Sequence, residues 1–267
     1  MGILTLITDF GIKDGNVGVM KGVIWGIAPE VNIVDLSHTI QPQNVEEASL
    51  VLLRAVPYFP DGTVHVVVVD PGVGTARRPI AAQVGTQRFV LPDNGVLSRV
   101  LDRADKLNLA VELVHLTDPS YWLSEVSHVF HGRDIFAPVG AYLAQGVSMA
   151  QMGKPIEDPV RFTIPIPQSI SHGLRGEIIH IDHFGNISTS IYQEHLGQPE
   201  EVTTHIKGVE IFGMVKTFGE KPAGELVALY GSTGNFIICV VNGNAAERLG
   251  AQVGDVVDVV WSDTKAG

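Results

Sequence analysis

Along the first half of the chain, short apolar runs alternate with segments whose apolar residues recur at helical spacing. Residues 3–8 (ILTLIT) are apolar and β-prone. In 15–28, Val17, Met20, Ile24 and Ile27 share one helical face, and Pro29 stops the helix. A second strand fits 32–37. Residues 45–56 read as a helix with Glu46 and Glu47 in its first turn, where the helix dipole favours acids. Residues 63–70 form a third strand, apolar enough to lie inside a sheet. Further strands fit 80–84, 88–91 and 113–116, and further helices fit 95–105 and 133–145. This alternation predicts an N-terminal α/β domain, residues 1–160, whose central sheet is flanked by helices.

The pattern changes near Asp158. The stretch 157–173 (EDPVRFTIPIPQSISHG) holds three prolines and little periodicity, so 161–175 is expected to be a linker. Strand patterns then dominate, at 176–182, 187–191, 202–206, 210–215, 225–230, 236–241 and 256–261, with one short helix at 244–249. Short strands with Gly-rich turns predict a smaller, mainly antiparallel C-terminal β domain, residues 176–267, built as a barrel or sandwich.

Composition narrows the function classes. Apolar residues make up 45% of the chain and charged ones 18%, which suits a packed core. The longest apolar runs are strand-sized, far below the roughly 20 residues that span a bilayer. The N-terminus lacks a basic region and a cleavage site, so a cytoplasmic protein without a membrane partner is expected. The net charge of -11 argues against nucleic acid. Cys239, the single cysteine, sits in FIICVV and reads as a buried small hydrophobe with no base beside it.

Ligands of open α/β sheets gather beyond the carboxyl ends of strands. Asp9 and Asp70 fall at two such ends. Asp9 suits the hydroxyls of a diol, or simply a turn before Gly11. Asp14 precedes a helix start, where capping is its plain role. The loop after Asp70 carries Gly72, Gly74, Arg77 and Arg78, but neither phosphate-binding glycine motif. Arg77 is placed to fold back onto Asp70, or to stay solvated. His131 opens a helix, whose positive end keeps an imidazole neutral and fit for proton transfer. In HIDHFGN (180–186), strand alternation puts His180 and His183 on opposite faces, against a shared metal. Asp182, Phe184 and Asn186 fit an amine acceptor, a stacking ring and an amide for a base edge, or a plain hairpin turn.

Taken in order, ITDFG (7–11) with Asp14, VDLSH (34–38), VDPGVGTARR (69–78), PDNG (92–95), FHGRDIFAP (130–138) and IDHFGN (181–186) resemble one family. It is that of the S-adenosyl-L-methionine (SAM) hydrolases, or SAM hydroxide adenosyltransferases, relatives of fluorinase and chlorinase. The resemblance runs over nearly the whole chain. It implies attack of water on C5′ of SAM, releasing methionine and leaving adenosine, with no metal and no cofactor. Asp70, Arg77 and His131 match the catalytic set, Arg77 fixing Asp70 while Asp70 and His131 position and polarise the water. A carboxylate paired with arginine is a weaker base, which favours His131 as proton acceptor without deciding it. The resemblance further implies Asp9 on the ribose hydroxyls, Asp14 and Asp182 on the methionine ammonium, and Ser232 on its carboxylate. It implies Asn186 on the adenine edge, with Phe184 and Phe218 on the adenine ring. The chain departs at Thr233, where fluorinase has arginine, and at Gln43, near a fluorinase tryptophan. The halogenating relatives lack the Asp-Arg-His set, so hydrolysis is expected ahead of 5′-halo-adenosine synthesis or mere SAM or adenosine binding. A small-molecule substrate and a homotrimer with sites between subunits complete what the resemblance implies.

Overall fold

A computed structural model describes residues 2–196 and 201–261. It divides into two compact units, Met1–Thr163 and Ile164–Gly267. The first unit holds β1 (Ile3–Thr8), β2 (Asn32–Ser37), β3 (Val64–Val68), β4 (Pro79–Val84), β5 (Gln87–Pro92), β6 (Val111–Leu116) and β7 (Gly153–Pro155). Its helices are α1 (Asn16–Ile27), α2 (Val45–Ala55), α3 (Ser98–Leu107) and α4 (Ala137–Ala144). The strands form one sheet in the order β2-β1-β3-β5-β4-β6-β7. Neighbours from β2 to β5 pair parallel. From β5 to β7 they pair antiparallel.

The sheet is covered on both faces, and strand alternation divides its side chains between two cores. Val64, Val66 and Val68 of β3 pack with Met20 and Ile24 of α1 and Val139 and Leu143 of α4. Val67 and Val69 face the other way, against Ala48 and Leu52 of α2 and Leu101 and Ala104 of α3. A strand buried on both sides calls for a nearly continuous apolar run, and VHVVV supplies one interrupted only by the buried His65. At Gly140 a Cβ would lie 2.5 Å from Val66 Cγ2, so this glycine lets α4 rest directly on the sheet.

The second unit holds β8 (Gln168–Ile170), β9 (Gly173–Ile181), β10 (Ile187–Tyr192), β11 (Val202–Ile206), β12 (Val209–Phe212), β13 (Leu226–Tyr230), β14 (Asn235–Val240) and β15 (Val256–Trp261). Two short helices, α5 (Gln193–Leu196) and α6 (Ala245–Leu249), join them. All pairings are antiparallel, in the order β12-β11-β15-β9-β10-β14-β13 with β8 on β9. The long β9 pairs β15 along its first half and β10 along its second. Past β12, the Val215 N–H donates to the Ala228 carbonyl of β13 at 2.9 Å. That bond brings the two ends of the sheet together into a near-barrel around Ile178, Ile191, Phe236 and Val257.

Several boundaries differ from the pattern reading. The stretch expected to be a linker, 161–175, contains β8 and the start of β9. Those strands are short or glycine-led, so they carry no period-2 signal. The strand expected over 210–215 ends at Phe212, because Gly213 turns the backbone at φ 73. The helix expected over 133–145 opens instead with a π-turn, Gly132–Phe136, ahead of α4.

Candidate active site

The chain leaves β1 to one side, forms β2, then crosses back to place β3 on the other side of β1. Such a reversal opens a crevice at the carboxyl ends of the two parallel strands. Thr8 and Val68 are paired there, so Asp9 and Asp70, just beyond them, occupy one rim. Asp9 is partly exposed and accepts the Gln43 N–H at 2.7 Å on Oδ2. Gln43 takes a left-handed φ of 66 to present that N–H. Asp14 is exposed. It does not cap α1, whose N-cap is Gly15 with no side-chain hydrogen bond.

Arg77 folds back onto Asp70, as one of the two expected arrangements had it. Its Nε donates to Oδ1 at 3.0 Å and its Nη2 to Oδ2 at 2.5 Å, a bidentate pair. Both side chains are about nineteen-twentieths buried, at 6% and 5% exposure. Nη2 also lies 3.1 Å from His131 Nδ1, so one nitrogen joins all three residues. The guanidinium sits 5.2 Å above the Phe136 ring, which holds it from below. Gly74 makes the return possible. It adopts φ 77, and a Cβ there would meet the His128 carbonyl oxygen at 2.4 Å.

His131 is kept neutral, first by burial and then by the adjacent Arg77 charge, which together push its pKa below the ordinary 6.5. The helix-end effect expected from the sequence is not needed to explain this. Arginine only donates, so His131 Nδ1 must accept, and the ring proton of the neutral form sits on Nε2. The supporting turn is anchored by Asp134, fully buried, which accepts the Ser127 N–H at 2.8 Å and Arg133 Nε at 2.5 Å. Gly132 lies against the end of β3; a Cβ there would be 3.2 Å from Val68 and 3.3 Å from Phe10. Asn94 tethers the other side, donating from Nδ2 to the Val69 carbonyl at 2.9 Å. The sequence reading missed Asp134 and Asn94, though both lie inside motifs it singled out.

The other five expected site residues belong to the second unit. Asp182 heads the β9–β10 turn. Its Oδ1 accepts the N–H groups of Phe184 and Asn186, both at 2.9 Å, and its Oδ2 accepts Asn186 Nδ2 at 2.9 Å. Asp182 and Asn186 therefore hold each other, as in a hairpin turn, with the Asp182 N–H also donating to the Asn186 carbonyl at 3.0 Å. Gly185 completes the turn at φ 81. Phe184 is 72% exposed and Phe218 is 42% exposed, so neither ring is a core residue of its unit. Ser232 is exposed in the turn between β13 and β14, which Gly234 closes with φ 78. Thr233, next to it, donates to Asn235 Oδ1 at 2.7 Å. Among the described residues no cluster of three or more His, Cys, Asp or Glu is placed to hold a metal ion. Among them, too, no helix is long and apolar enough to cross a membrane.

Residues 4–153 match the SAM hydroxide adenosyltransferase N-terminal domain, and 176–258 match the C-terminal domain of the same family. A relative from Salinispora tropica, named (R)-S-adenosyl-L-methionine hydrolase, is 39% identical across 94% of this chain and 95% of its own. One of the same name from Thermus thermophilus is 39% identical across 93% and 95%. A fluorinase from an Actinoplanes species is more distant, at 29% across 84% and 85%. The crystal structure of an uncharacterized conserved protein from Thermotoga maritima superposes with a TM-score of 0.89 and 35% identity, covering 96% of this chain and 99% of the other.

Proposed function

The chain belongs to the SAM hydroxide adenosyltransferase family, and from that premise we propose that it hydrolyses S-adenosyl-L-methionine to adenosine and L-methionine. The observation that carries the reading is the hydrogen-bonded chain Asp70–Arg77–His131 on the same rim as Asp9. A water oxygen attacks C5′, the C5′–S bond breaks, and its electron pair returns to sulfur to give neutral methionine thioether. The sulfonium is already a good leaving group, so neither a general acid nor a metal or cofactor is required.

The protein's task is to place one water in line and remove its proton. His131 presents Nε2–H, a donor that orients the water oxygen, while Nδ1 is occupied by Arg77. The proton then goes to Asp70, whose carboxylate oxygens retain free lone pairs. A weak base suffices, because the attacking water becomes strongly acidic as its bond to carbon forms. Asp9 receives the ribose hydroxyls. Asp14, Asp182 and Ser232 take the methionine ammonium and carboxylate, and Asn186, Phe184 and Phe218 take adenine. The substrate has the R configuration at sulfur, as the names of the Salinispora and Thermus relatives suggest. The working form is a cytoplasmic homotrimer with substrate held between chains, and light scattering should give three times the 28.7 kDa chain mass.

Turnover of the separate R and S sulfonium epimers in ¹⁸O-water tests the reaction. Label in the adenosine 5′-hydroxyl, with the R epimer preferred, is the expected result. Unlabelled adenosine, no adenosine, or halide-dependent 5′-halo-adenosine would refute it.

A further inference from the structure

The VDLSH motif plays no part in the reaction as described, yet its histidine meets Thr8, the residue just before Asp9. In the β1–β2 pairing the register slips between Leu6 and Ile7, which face Asp35 and Ser37, so Leu36 is skipped. The chain then turns His38 onto the end of β1. His38 is buried, with Nδ1 2.9 Å from the Thr8 hydroxyl and Nε2 2.9 Å from Asp35 Oδ1. Lys21 of α1 closes the series, donating to Asp35 Oδ2 at 2.6 Å. The negative charge of Asp35 beside Nε2 favours the ring proton there, and in that tautomer Nδ1 accepts the Thr8 O–H. That leaves the Thr8 oxygen to accept the Phe10 N–H at 3.3 Å, while the His38 carbonyl accepts the Gly11 N–H at 2.7 Å. Both residues beyond Asp9 are thereby fixed by His38, one through Thr8 and one directly. Phe10 in turn meets the Phe130 ring edge-on at 5.6 Å, beside His131.

We infer that His38, acting through Thr8, is a positioning residue that sets the Asp9 carboxylate for the substrate's diol. The inference rests on the reading of Asp9 as the ribose-binding residue. Thr8 is fully buried and cannot itself meet a ligand, so its hydroxyl serves the loop.

Adenosine binding by calorimetry, with KM and kcat on SAM, tests this in the full-length protein. Thr8→Val and His38→Ala should each weaken adenosine roughly tenfold, about the size of one lost hydrogen bond, and raise KM similarly with a much smaller effect on kcat. His38→Asn keeps an acceptor toward Thr8 and should recover most of the affinity. The double variant should bind no worse than the weaker single, since both cut one path. Unchanged affinity in Thr8→Val and His38→Ala alike, or multiplicative losses in the double variant, would overturn the inference. Asp9→Ala separates the two claims. If it weakens adenosine while the Thr8 and His38 variants do not, only the inference falls; if it leaves adenosine unchanged, the reading of Asp9 falls and the inference with it.

Discussion

Acid should loosen the sheet that carries the active site, and His65 is the reason. It is the second residue of β3 and has no exposed surface, stacked on Phe89 at 5.2 Å and edge-on to Phe59 at 5.6 Å. Its Nδ1 is 2.8 Å from the Thr5 hydroxyl of β1, and Nε2 is buried without a hydrogen bond. Burial drives its pKa from 6.5 down to about 4, with the Gln87 side chain offsetting a little of that. Between these values the unfolded chain binds a proton that the folded protein refuses, so stability falls as pH drops from 6.5 toward 4. At 1.36 kcal/mol per unit the full loss is about 3 kcal/mol, a large share of the 5–15 kcal/mol typical of a domain. Urea unfolding at about pH 7.5 and about pH 4.5 measures it, for the parent and for His65→Gln, which cannot titrate. All other titrating groups are common to both proteins. The parent should lose about 2–3 kcal/mol more than the variant over that range. An equal loss in both would refute the argument.

Three further outcomes follow from the geometry. Activity requires neutral His131, whose pKa is lowered by burial and by Arg77, so the acid limb of the kcat profile should lie below pH 6.5; a limb above that value would contradict the assignment. Gly74→Ala must strain a φ of 77 and push against the His128 carbonyl, so the thermal midpoint should fall by an amount equivalent to about 1–3 kcal/mol, with kcat falling as Arg77 shifts. Cys239 is buried, with its thiol pushed up to about 12, so alkylation near neutral pH should wait for unfolding, as mass spectrometry can follow.

Much of the first unit was legible because its strands are apolar runs and its helices amphipathic segments, and Pro29 and Asp70 punctuate them where the chain turns. The strand-end rule brought out Asp9 and Asp70 from position alone. What pattern could not supply was geometry across the sheet. Within the π-turn at Gly132–Phe136, Asp134 points inward and accepts the Ser127 N–H, a bond invisible in local spacing. The Thr8–His38–Asp35 series depends on a slip between paired strands, which no single-strand pattern records. Strands β7 and β8 are three residues each, too short for a period to appear. Asp14 and Asn186 show the reverse case. Capping and turn formation were their plain readings; Asn186 does hold a turn, whereas Asp14 caps nothing.

The central claim, that Asp70 and His131 act on the water and not on substrate affinity, is tested most directly by single-turnover rates and adenosine affinity measured together for Asp70→Asn and His131→Ala. Each should slow the C5′–O bond-forming step by about 10²-fold or more while leaving adenosine binding within a few-fold of the parent. Variants that keep the parental single-turnover rate, or that lose adenosine binding as far as they lose rate, would contradict the account.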